Sequence, residues 1–414
     1  MNNRVAVTGM GMITAAGKDV EKTWEKVLSG VTAIDKISRF DTSNFKVSLA
    51  AEIKDFDPEL FVEEKKEVRR LDRYCQYALA AVHEAVVSSG LNFKSEALDK
   101  TRCGVIFGSG IGGIETLESE ITKYNENKEK GASRVSPLYV PMLIANIAAG
   151  HISIKYGLEG HGFAPVTACA TSSHAIGEAF RAIKHGYADI MIAGGSEAAI
   201  TPTSIAGFQN MTAMSCSADK NEGLLAFDRR RKGFVMGEGA GALVLENYES
   251  AKRRGANIFG EVAGYFANFD AHHITAPEPS GKGAAGAMAG ALADAKIDRE
   301  KIGYINAHGT GTPTNDKMET LALKSAFGDM AYKIPVSSTK GVVGHMLGAA
   351  GAVEAIFCLN ALAGGVLPPT ANLREPDPEC DLDYMPNCAR EKRIEYALSV
   401  SLGFGATNAA LIFT

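Results

Sequence analysis

Short apolar and β-branched runs alternate with helical stretches along the whole chain. The strand-like runs begin near residues 5, 103, 188, 241, 302, 333 and 396, and they read VAVTGMGMI, CGVIFGSG, ADIMIAGGSEAA, GALVLENY, IGYINAHGTG, KIPVSSTKG and YALSVSLGFG. This alternation predicts an α/β protein with mainly parallel sheets. Several runs end in Gly, Ser or Thr, and the loops that follow parallel strands are where such folds place their functional sites.

Two distant segments share one layout, which is an apolar approach, a small polar turn and a helix rich in Gly and Ala. They are residues 166–183 (VTACATSSHAIGEAFRAI) and residues 336–356 (VSSTKGVVGHMLGAAGAVEAI). This internal similarity predicts a chain built from two similar halves, residues 1–255 and residues 256–414.

The predicted helix over residues 344–363 is apolar on nearly every face, apart from Glu354 and Asn360. A helix without a polar face must be buried all round. We therefore place it, together with the helix after residue 169, in a central layer between two sheets. The fold class that follows is a five-layer αβαβα stack.

Composition and charge narrow the function classes. The chain has 414 residues, of which 46% are hydrophobic and 22% charged, with a formal net charge of −5. Such values are typical of a soluble globular protein and give no reason to expect nucleic-acid binding. The first residues lack the layout of a signal peptide, and charge or Gly interrupts the apolar stretches. We expect a cytoplasmic protein with no membrane association.

The seven cysteines are scattered, and no two of them form a CxxC pair. This argues against a disulfide framework and against a zinc site, so no metal is expected. Most free cysteines are inert core residues. Cys169 stands where a strand-like segment gives way to a helix, among the small residues Ala168, Ala170 and Thr171, and at this point an inert core cysteine remains the alternative. A helix N-terminus at this point would lower the pKa of its thiol.

Two histidines and a lysine stand at comparable junctions. His308 ends the strand-like run GYINAH and precedes a turn rich in Gly and Thr. Lys340 and His345 lie at the start of the apolar helix. A buried ammonium group needs a partner, and we expect Glu319 to be that partner. A plain structural ion pair and an ordinary strand-ending histidine remain the alternatives here.

Two further segments are glycine-rich. Phe404 lies between Gly403 and Gly405, where backbone freedom and bare N–H groups favour an oxyanion contact or a movable aromatic. The run GSGIGG over residues 108–113 matches the dinucleotide fingerprint GxGxxG. A dinucleotide site needs an acidic residue at the end of a second strand about 20 residues on. A polar, Lys- and Glu-rich stretch is found there instead, so NAD is excluded.

With Cys169 in VTACA, His308 in NAHGTGTP and His345 in KGVVGHMLGAAG, the chain resembles the β-ketoacyl-acyl-carrier-protein synthases. It is most similar to the elongation enzymes of bacterial fatty acid synthesis, over essentially its full length. The family has the thiolase fold, in agreement with the layered, two-half prediction. The resemblance implies a homodimer that needs no cofactor of its own, because phosphopantetheine arrives on the acyl carrier protein.

The resemblance also implies roles for single residues in a decarboxylating Claisen condensation. Cys169 would carry the acyl chain as a thioester, and His308 and His345 would stabilise the enolate left when malonyl loses CO₂. Backbone N–H groups of Cys169 and Phe404 would form an oxyanion hole. The remaining implied roles are as follows: Lys340 with Glu319 would hold His308, Thr310 and Thr312 would bind the phosphopantetheine arm, Ile111 would line the acyl pocket, and Phe404 would gate it.

Acyl carrier proteins of this kind are acidic, so a basic docking surface is expected. The run KKEVRRLDR supplies one candidate, which we call the basic patch (Lys65, Lys66, Arg69 and Arg70). A solvated helix face is the alternative for such a run.

Related enzyme classes fit less well. Thiolases use a second cysteine near the C-terminus, and GFGATN contains none. Initiating synthases use Cys–His–Asn, whereas this chain offers His345. A non-catalytic chain-length subunit would lack the nucleophile. A ketosynthase of a specialised polyketide-like pathway, with the same mechanism, remains the alternative function.

Overall fold

The computed structural model describes residues 3–62, 64–126 and 129–414, in which fourteen strands alternate with thirteen α-helices. The strands are β1 (Val5–Thr14), β2 (Asp35–Lys36), β3 (Leu49–Ala50), β4 (Cys103–Gly108), β5 (Gly162–Phe163), β6 (Ile190–Glu197), β7 (Gly239–Asn247), β8 (Gly260–Phe269), β9 (Ile302–Asn306), β10 (Val336–Ser337), β11 (Val366–Leu367), β12 (Arg390–Glu391), β13 (Tyr396–Gly403) and β14 (Thr407–Phe413). All seven predicted strands are present among them.

The helices vary from four to seventeen residues. They are α1 (Val20–Leu28), α2 (Arg73–Ser89), α3 (Ile114–Glu126), α4 (Gly131–Arg134), α5 (Tyr139–Leu143), α6 (Ile147–Tyr156), α7 (Thr171–Lys184), α8 (Pro202–Asn210), α9 (Tyr248–Arg253), α10 (Lys282–Ala295), α11 (Pro313–Phe327), α12 (Lys340–Val343) and α13 (Ala350–Gly364). Short 3₁₀ helices cover Pro58–Phe61, Lys65–Arg70, Lys100–Arg102, Ala168–Ala170, Lys220–Glu222, Arg299–Lys301, Gly328–Tyr332 and Leu347–Ala349.

Ten of the strands hydrogen-bond in the order β10-β9-β13-β14-β8-β1-β7-β6-β4-β5. The first five belong to the C-terminal part of the chain and the other five to the N-terminal part. Both groups repeat one pattern: two antiparallel pairings next to the junction, followed by two parallel pairings. A short ladder of Val5–Val7 with Gly260–Val262 joins the groups. The two groups of strands therefore repeat one topology.

The expectation of mainly parallel sheets is wrong. Within the ten-stranded order, four pairings are parallel and five are antiparallel. Strands β13 and β14 are joined by residues 404–406 alone, which is too short for the crossover that a parallel pair requires. The hydrophobic pattern did not single out β8 and β14, and these two strands take part in three of the five antiparallel pairings.

Helices α7 and α13 form the central layer. Each contacts strands of both halves, and the two helices contact each other. Helix α2 packs on β1 and β7 from one side, and α10 packs on β8 and β14 from the other. Eleven of the fifteen residues of α13 are buried, which fits a helix without a polar face. The five-layer αβαβα arrangement is confirmed.

The predicted helix over residues 344–363 begins later than expected, at Ala350. Gly344 and Leu347 have φ values of +72° and +45°, and this left-handed backbone interrupts the helix. A short α12, an irregular step and a 3₁₀ turn therefore precede α13. His345 lies in the interruption, so its side chain is free to face a cavity instead of a neighbouring helix.

Residues Leu347–Gly364 form the one window in the described part of the chain that is long and apolar enough to cross a membrane, with a mean hydropathy of 1.6. The sequence analysis expected no such stretch. The stretch is apolar because it forms part of the central layer, where 78% of this window is buried inside the protein.

Candidate active site

Cys169 lies in the 3₁₀ turn Ala168–Ala170, immediately before α7. Ala168 has a φ of +49°, a left-handed conformation that costs free energy for a residue with a Cβ. The Thr171 hydroxyl holds this turn, because it accepts from Thr167 N–H at 2.9 Å and donates to the Ala168 carbonyl at 2.8 Å. Cys169 is 8% exposed and lines a cavity. The strained turn thus presents the thiol to a ligand.

The three side chains predicted to carry the chemistry meet at this cavity. His345 Nε2 lies 3.2 Å from Cys169 Sγ, within hydrogen-bonding distance. The rings of His308 and His345 are perpendicular, with centroids 5.3 Å apart. The Cys169 sulfur and one ring nitrogen from each histidine all lie within 4.8 Å of one another. A thioester carbonyl placed between them would meet the sulfur and both imidazoles at once.

Backbone contacts fix the position of His345. Its N–H donates to the Val235 carbonyl at 2.8 Å, and its carbonyl accepts from Gly237 N–H at 2.9 Å. The ring of Phe234 packs edge-on against the imidazole, with centroids 5.3 Å apart. His345 is therefore held by the segment before β7 as well as by its own strand-to-helix connection.

Both imidazoles are neutral at physiological pH. Burial, followed by the nearby Lys340 charge, lowers the pKa of each of His308 and His345 well below 6.5. Their Nδ1 atoms have no hydrogen-bond partner among the described residues. Two neutral rings facing one cavity are suited to donating N–H groups to a developing oxyanion.

The predicted lowering of the Cys169 pKa is wrong. Burial raises the pKa of this thiol to about 12, although the Lys340 charge and the Phe404 backbone N–H act in the opposite direction. The N-terminus of α7 lies beside the sulfur, but desolvation of a thiolate at this depth outweighs it. Cys169 therefore rests as a thiol, and His345 Nε2 is the adjacent group that can take its proton.

The predicted ion pair between Lys340 and Glu319 is also wrong. Lys340 Nζ is paired with Glu354 of α13. The two Glu319 oxygens accept instead from the backbone N–H groups of His308 at 2.7 Å and Gly309 at 2.8 Å. Because those N–H groups occupy the carboxylate, Glu319 holds the His308 backbone directly, and burial raises its pKa to about 7.

The cavity has a volume of about 300 Å³ and is lined by Thr310, Thr312 and Phe404 in addition to the three central residues. The two threonine hydroxyls lie 3.0 Å apart. The Phe404 backbone N–H is directed at Cys169 Sγ, and its ring stacks on Phe208 with centroids 6.3 Å apart. Thr310, Thr312 and Phe404 therefore share one cavity with Cys169, His308 and His345.

Ile111 does not line this cavity. It is partly buried and packs against the apolar cluster that contains Cys169. The basic patch lies on the 3₁₀ helix Lys65–Arg70, and all four of its side chains are exposed. Lys65 and Lys66 are paired with Glu59 and Glu64, respectively.

The sequence analysis missed Glu354, Phe208 and Phe234 as parts of the site. A signal for Glu354 was present, because a lone carboxylate on an apolar helix needs a cation as much as Lys340 needs an anion. The two phenylalanines carried no such signal, since nothing in their local pattern separates them from ordinary core residues.

Comparisons with known proteins agree with this geometry. The family models described as the N-terminal and the C-terminal domain of beta-ketoacyl synthase match residues 2–251 and residues 259–374. The 3-oxoacyl-[acyl-carrier-protein] synthase 2 of Staphylococcus aureus (strain COL) is 49% identical over 412 residues, which cover 100% of this chain and 98% of that protein. The protein of the same name from Synechocystis sp. is 47% identical over 411 residues, which cover 99% of this chain and 97% of that protein.

Among solved structures, a type II polyketide ketosynthase in complex with its acyl-carrier protein superposes with a TM-score of 0.91. It is 32% identical, and the match covers 100% of this chain and 99% of that chain. The fold, the converging Cys–His–His group and the full-length matches lead to one conclusion: the chain belongs to the β-ketoacyl synthase family.

Proposed function

We propose that this protein is a 3-oxoacyl-[acyl-carrier-protein] synthase that lengthens acyl chains by two carbons through a decarboxylating Claisen condensation. The observation that carries the proposal is the convergence of one thiol and two neutral imidazoles, with His345 Nε2 3.2 Å from Cys169 Sγ. The two relatives that are 49% and 47% identical carry that name, and the matches cover 98% and 97% of their sequences.

In the first half-reaction, Cys169 Sγ attacks the carbonyl carbon of an acyl thioester. His345 Nε2 takes the thiol proton, the Phe404 N–H stabilises the oxyanion, and the phosphopantetheine thiolate leaves with that proton. The acyl chain is then bonded to Cys169.

In the second half-reaction, malonyl thioester loses CO₂, and the electron pair of the broken C–C bond forms an enolate. The N–H groups of His308 and His345 stabilise its oxygen, because both rings are neutral and buried beside the sulfur. The enolate carbon attacks the Cys169 thioester, the C–S bond breaks with its electron pair on sulfur, and the thiolate takes one proton from water. Glu319 keeps His308 in place through the backbone.

The decisive experiment separates the two half-reactions. His345→Ala is expected to retain acylation of Cys169, at a reduced rate, but to release CO₂ from malonyl-carrier protein at least about 100-fold more slowly. Cys169→Ala is expected to abolish condensation. His185→Ala is the matched control, because His185 is exposed at the end of α7. Normal CO₂ release by His345→Ala, or normal condensation by Cys169→Ala, would contradict the proposal.

We infer that the substrates arrive on an acidic acyl carrier protein that docks at the basic patch. Arg69 and Arg70 are exposed and have no ion pair among the described residues, so their charges are available to a partner. Neutralising the patch is expected to raise KM for acyl-carrier protein about tenfold without changing KM for a small pantetheine thioester. Neutralising the exposed Lys252 and Arg253 is the control, and an equal effect there would refute the docking site.

We also propose that the protein is a homodimer, that it is cytoplasmic, and that it needs no bound metal or cofactor for the reaction. The edge strand β5 is exposed and carries Phe163, which is 44% exposed, and Val166, three residues further along the chain, is 57% exposed. An open edge with exposed apolar side chains favours pairing with a second copy. Light scattering should report twice the chain mass, and a chelator should leave condensation unchanged.

The alternative is a ketosynthase of a polyketide-like pathway with the same chemistry, which the structural likeness at 32% identity favours. Products identified by mass after incubation with acyl-carrier proteins of graded length separate the two. Efficient use of saturated acyl chains supports the fatty acid function, and exclusive use of poly-β-keto chains would overturn it.

A further inference from the structure

The glycine-rich run over residues 108–113 resembles a phosphate-binding loop, but its polar hydrogens are turned to a carboxylate of the same chain. Glu197, the last residue of β6, is fully buried at the end of this loop. It accepts four hydrogen bonds, from Ser109 Oγ at 2.8 Å, Gly110 N–H at 2.9 Å, Ile111 N–H at 3.2 Å and Gly348 N–H at 3.0 Å. The loop thus binds an internal anion.

The four donors come from two segments that are far apart in the chain. Ser109, Gly110 and Ile111 follow β4, whereas Gly348 belongs to the 3₁₀ turn that begins two residues after His345. A Cβ built on Gly110 would lie 2.7 Å from the Glu197 carboxylate and 3.4 Å from the Ala168 carbonyl oxygen. The carboxylate therefore joins the loop that packs beside the Cys169 turn to the segment that carries His345.

This carboxyl group has no Lys or Arg partner among the described residues, and its four hydrogen bonds only partly offset burial, which raises its pKa to about 7. The NH₂ group of an amide at this position would face either the N–H groups of Gly110 and Gly348 or the Ile111 N–H and the Ser109 hydroxyl, so at least one backbone N–H would lose its acceptor. Because that donor is a backbone group, the loop or the turn would have to move.

Ile111 does not line the cavity, but it links this arrangement to the apolar residues around Cys169. Its N–H is held by Glu197, and its side chain packs against the apolar cluster that contains Cys169. A chain bonded to the sulfur must lie against apolar surface next to it. A shift of residues 109–111 would therefore change the space for the chain, and a shift of Gly348 would change the position of the imidazole.

We propose that Glu197 is a positioning residue that sets the acyl-length preference of Cys169 and the alignment of His345, a role that rests on the proposed condensing function. Its carboxylate fastens the residue 109–111 loop and the Leu347–Ala349 turn to the end of β6. It touches neither the substrate nor the reacting atoms.

The test compares Glu197→Gln with Glu84→Gln. Glu84 is a partly buried carboxylate that also accepts backbone N–H groups, from Met12 at 2.8 Å and Val20 at 2.9 Å, but it lies on α2, away from the site. Acylation of Cys169 is measured with carrier proteins bearing chains of graded length, and CO₂ release is measured from malonyl-carrier protein. Both rates are normalised to folded protein.

Glu197→Gln is expected to change the ratio of kcat/KM between long and short chains by about tenfold or more and to slow CO₂ release, whereas Glu84→Gln leaves that ratio unchanged. A purely structural role would reduce all lengths equally. Should Glu197→Gln not fold, Ser109→Ala, which removes one of the four hydrogen bonds, should change the ratio in the same direction. An unaltered ratio in the folded variant would overturn the inference, while wild-type protein unable to condense any chain would refute the proposed function itself.

Discussion

The ionisation of Cys169 gives a prediction that a pH titration tests directly. Burial raises the pKa of this thiol to about 12 from the ordinary value of 9.0. That difference corresponds to about 4 kcal/mol against the thiolate, and it makes the thiolate about a thousand times scarcer at neutral pH than for an ordinary cysteine. At pH 8 only about one molecule in 10⁴ would carry a thiolate at this position.

The assay is alkylation of the protein by iodoacetamide between pH 6.5 and 10, with the modified cysteines identified by mass. Because only the thiolate reacts, the rate at Cys169 should rise about tenfold per pH unit over the whole range and reach no plateau. The exposed thiols Cys216 and Cys388 report the behaviour of the reagent in the same sample.

A plateau of the Cys169 rate below pH 9 would refute the reasoning. It would mean that the N-terminus of α7 and the Lys340 charge outweigh desolvation, as the sequence alone suggested. The absence of a plateau supports a mechanism in which His345 removes the proton only as the sulfur attacks.

Two further predictions concern the central layer. Lys340→Met leaves the Glu354 carboxylate buried without its cation, and it should lower the free energy of unfolding by about 3–5 kcal/mol in urea denaturation. The added change Glu354→Leu should restore most of this loss, and equal stability of the single and double variants would contradict the role of the pair. In Gly351→Ala the new Cβ would lie 2.0 Å from Ser173 Oγ, at the contact between α7 and α13, and the cost should be about 1–3 kcal/mol. Gly364→Ala, in the same helix but with open space around it, should be neutral or stabilising by up to about 1 kcal/mol, so a Gly351→Ala variant as stable as this control would disprove the close approach.

Local patterns were sufficient for seven of the fourteen described strands and for the buried apolar helix. An apolar run bounded by small polar residues favours a strand whatever it packs against, so the seven strands were predictable. A helix without a polar face has only one stable location, and the central position of α13 followed from that alone. Cys169, His308 and His345 end or follow such patterns, but it was the resemblance to the β-ketoacyl synthases, and not the patterns, that implied their reactive roles.

The tertiary structure alone decided strand direction, partners and ionisation. Whether β13 and β14 run antiparallel depends on how far apart their ends lie, which hydrophobicity does not encode. Two glutamates, Glu319 and Glu354, could have paired with Lys340. The structure pairs it with Glu354, because the backbone N–H groups of His308 and Gly309 already bind the Glu319 carboxylate. The Cys169 pKa is a balance between burial depth and nearby charges. Residues far apart in the chain create that balance, so only their assembly in space determines it.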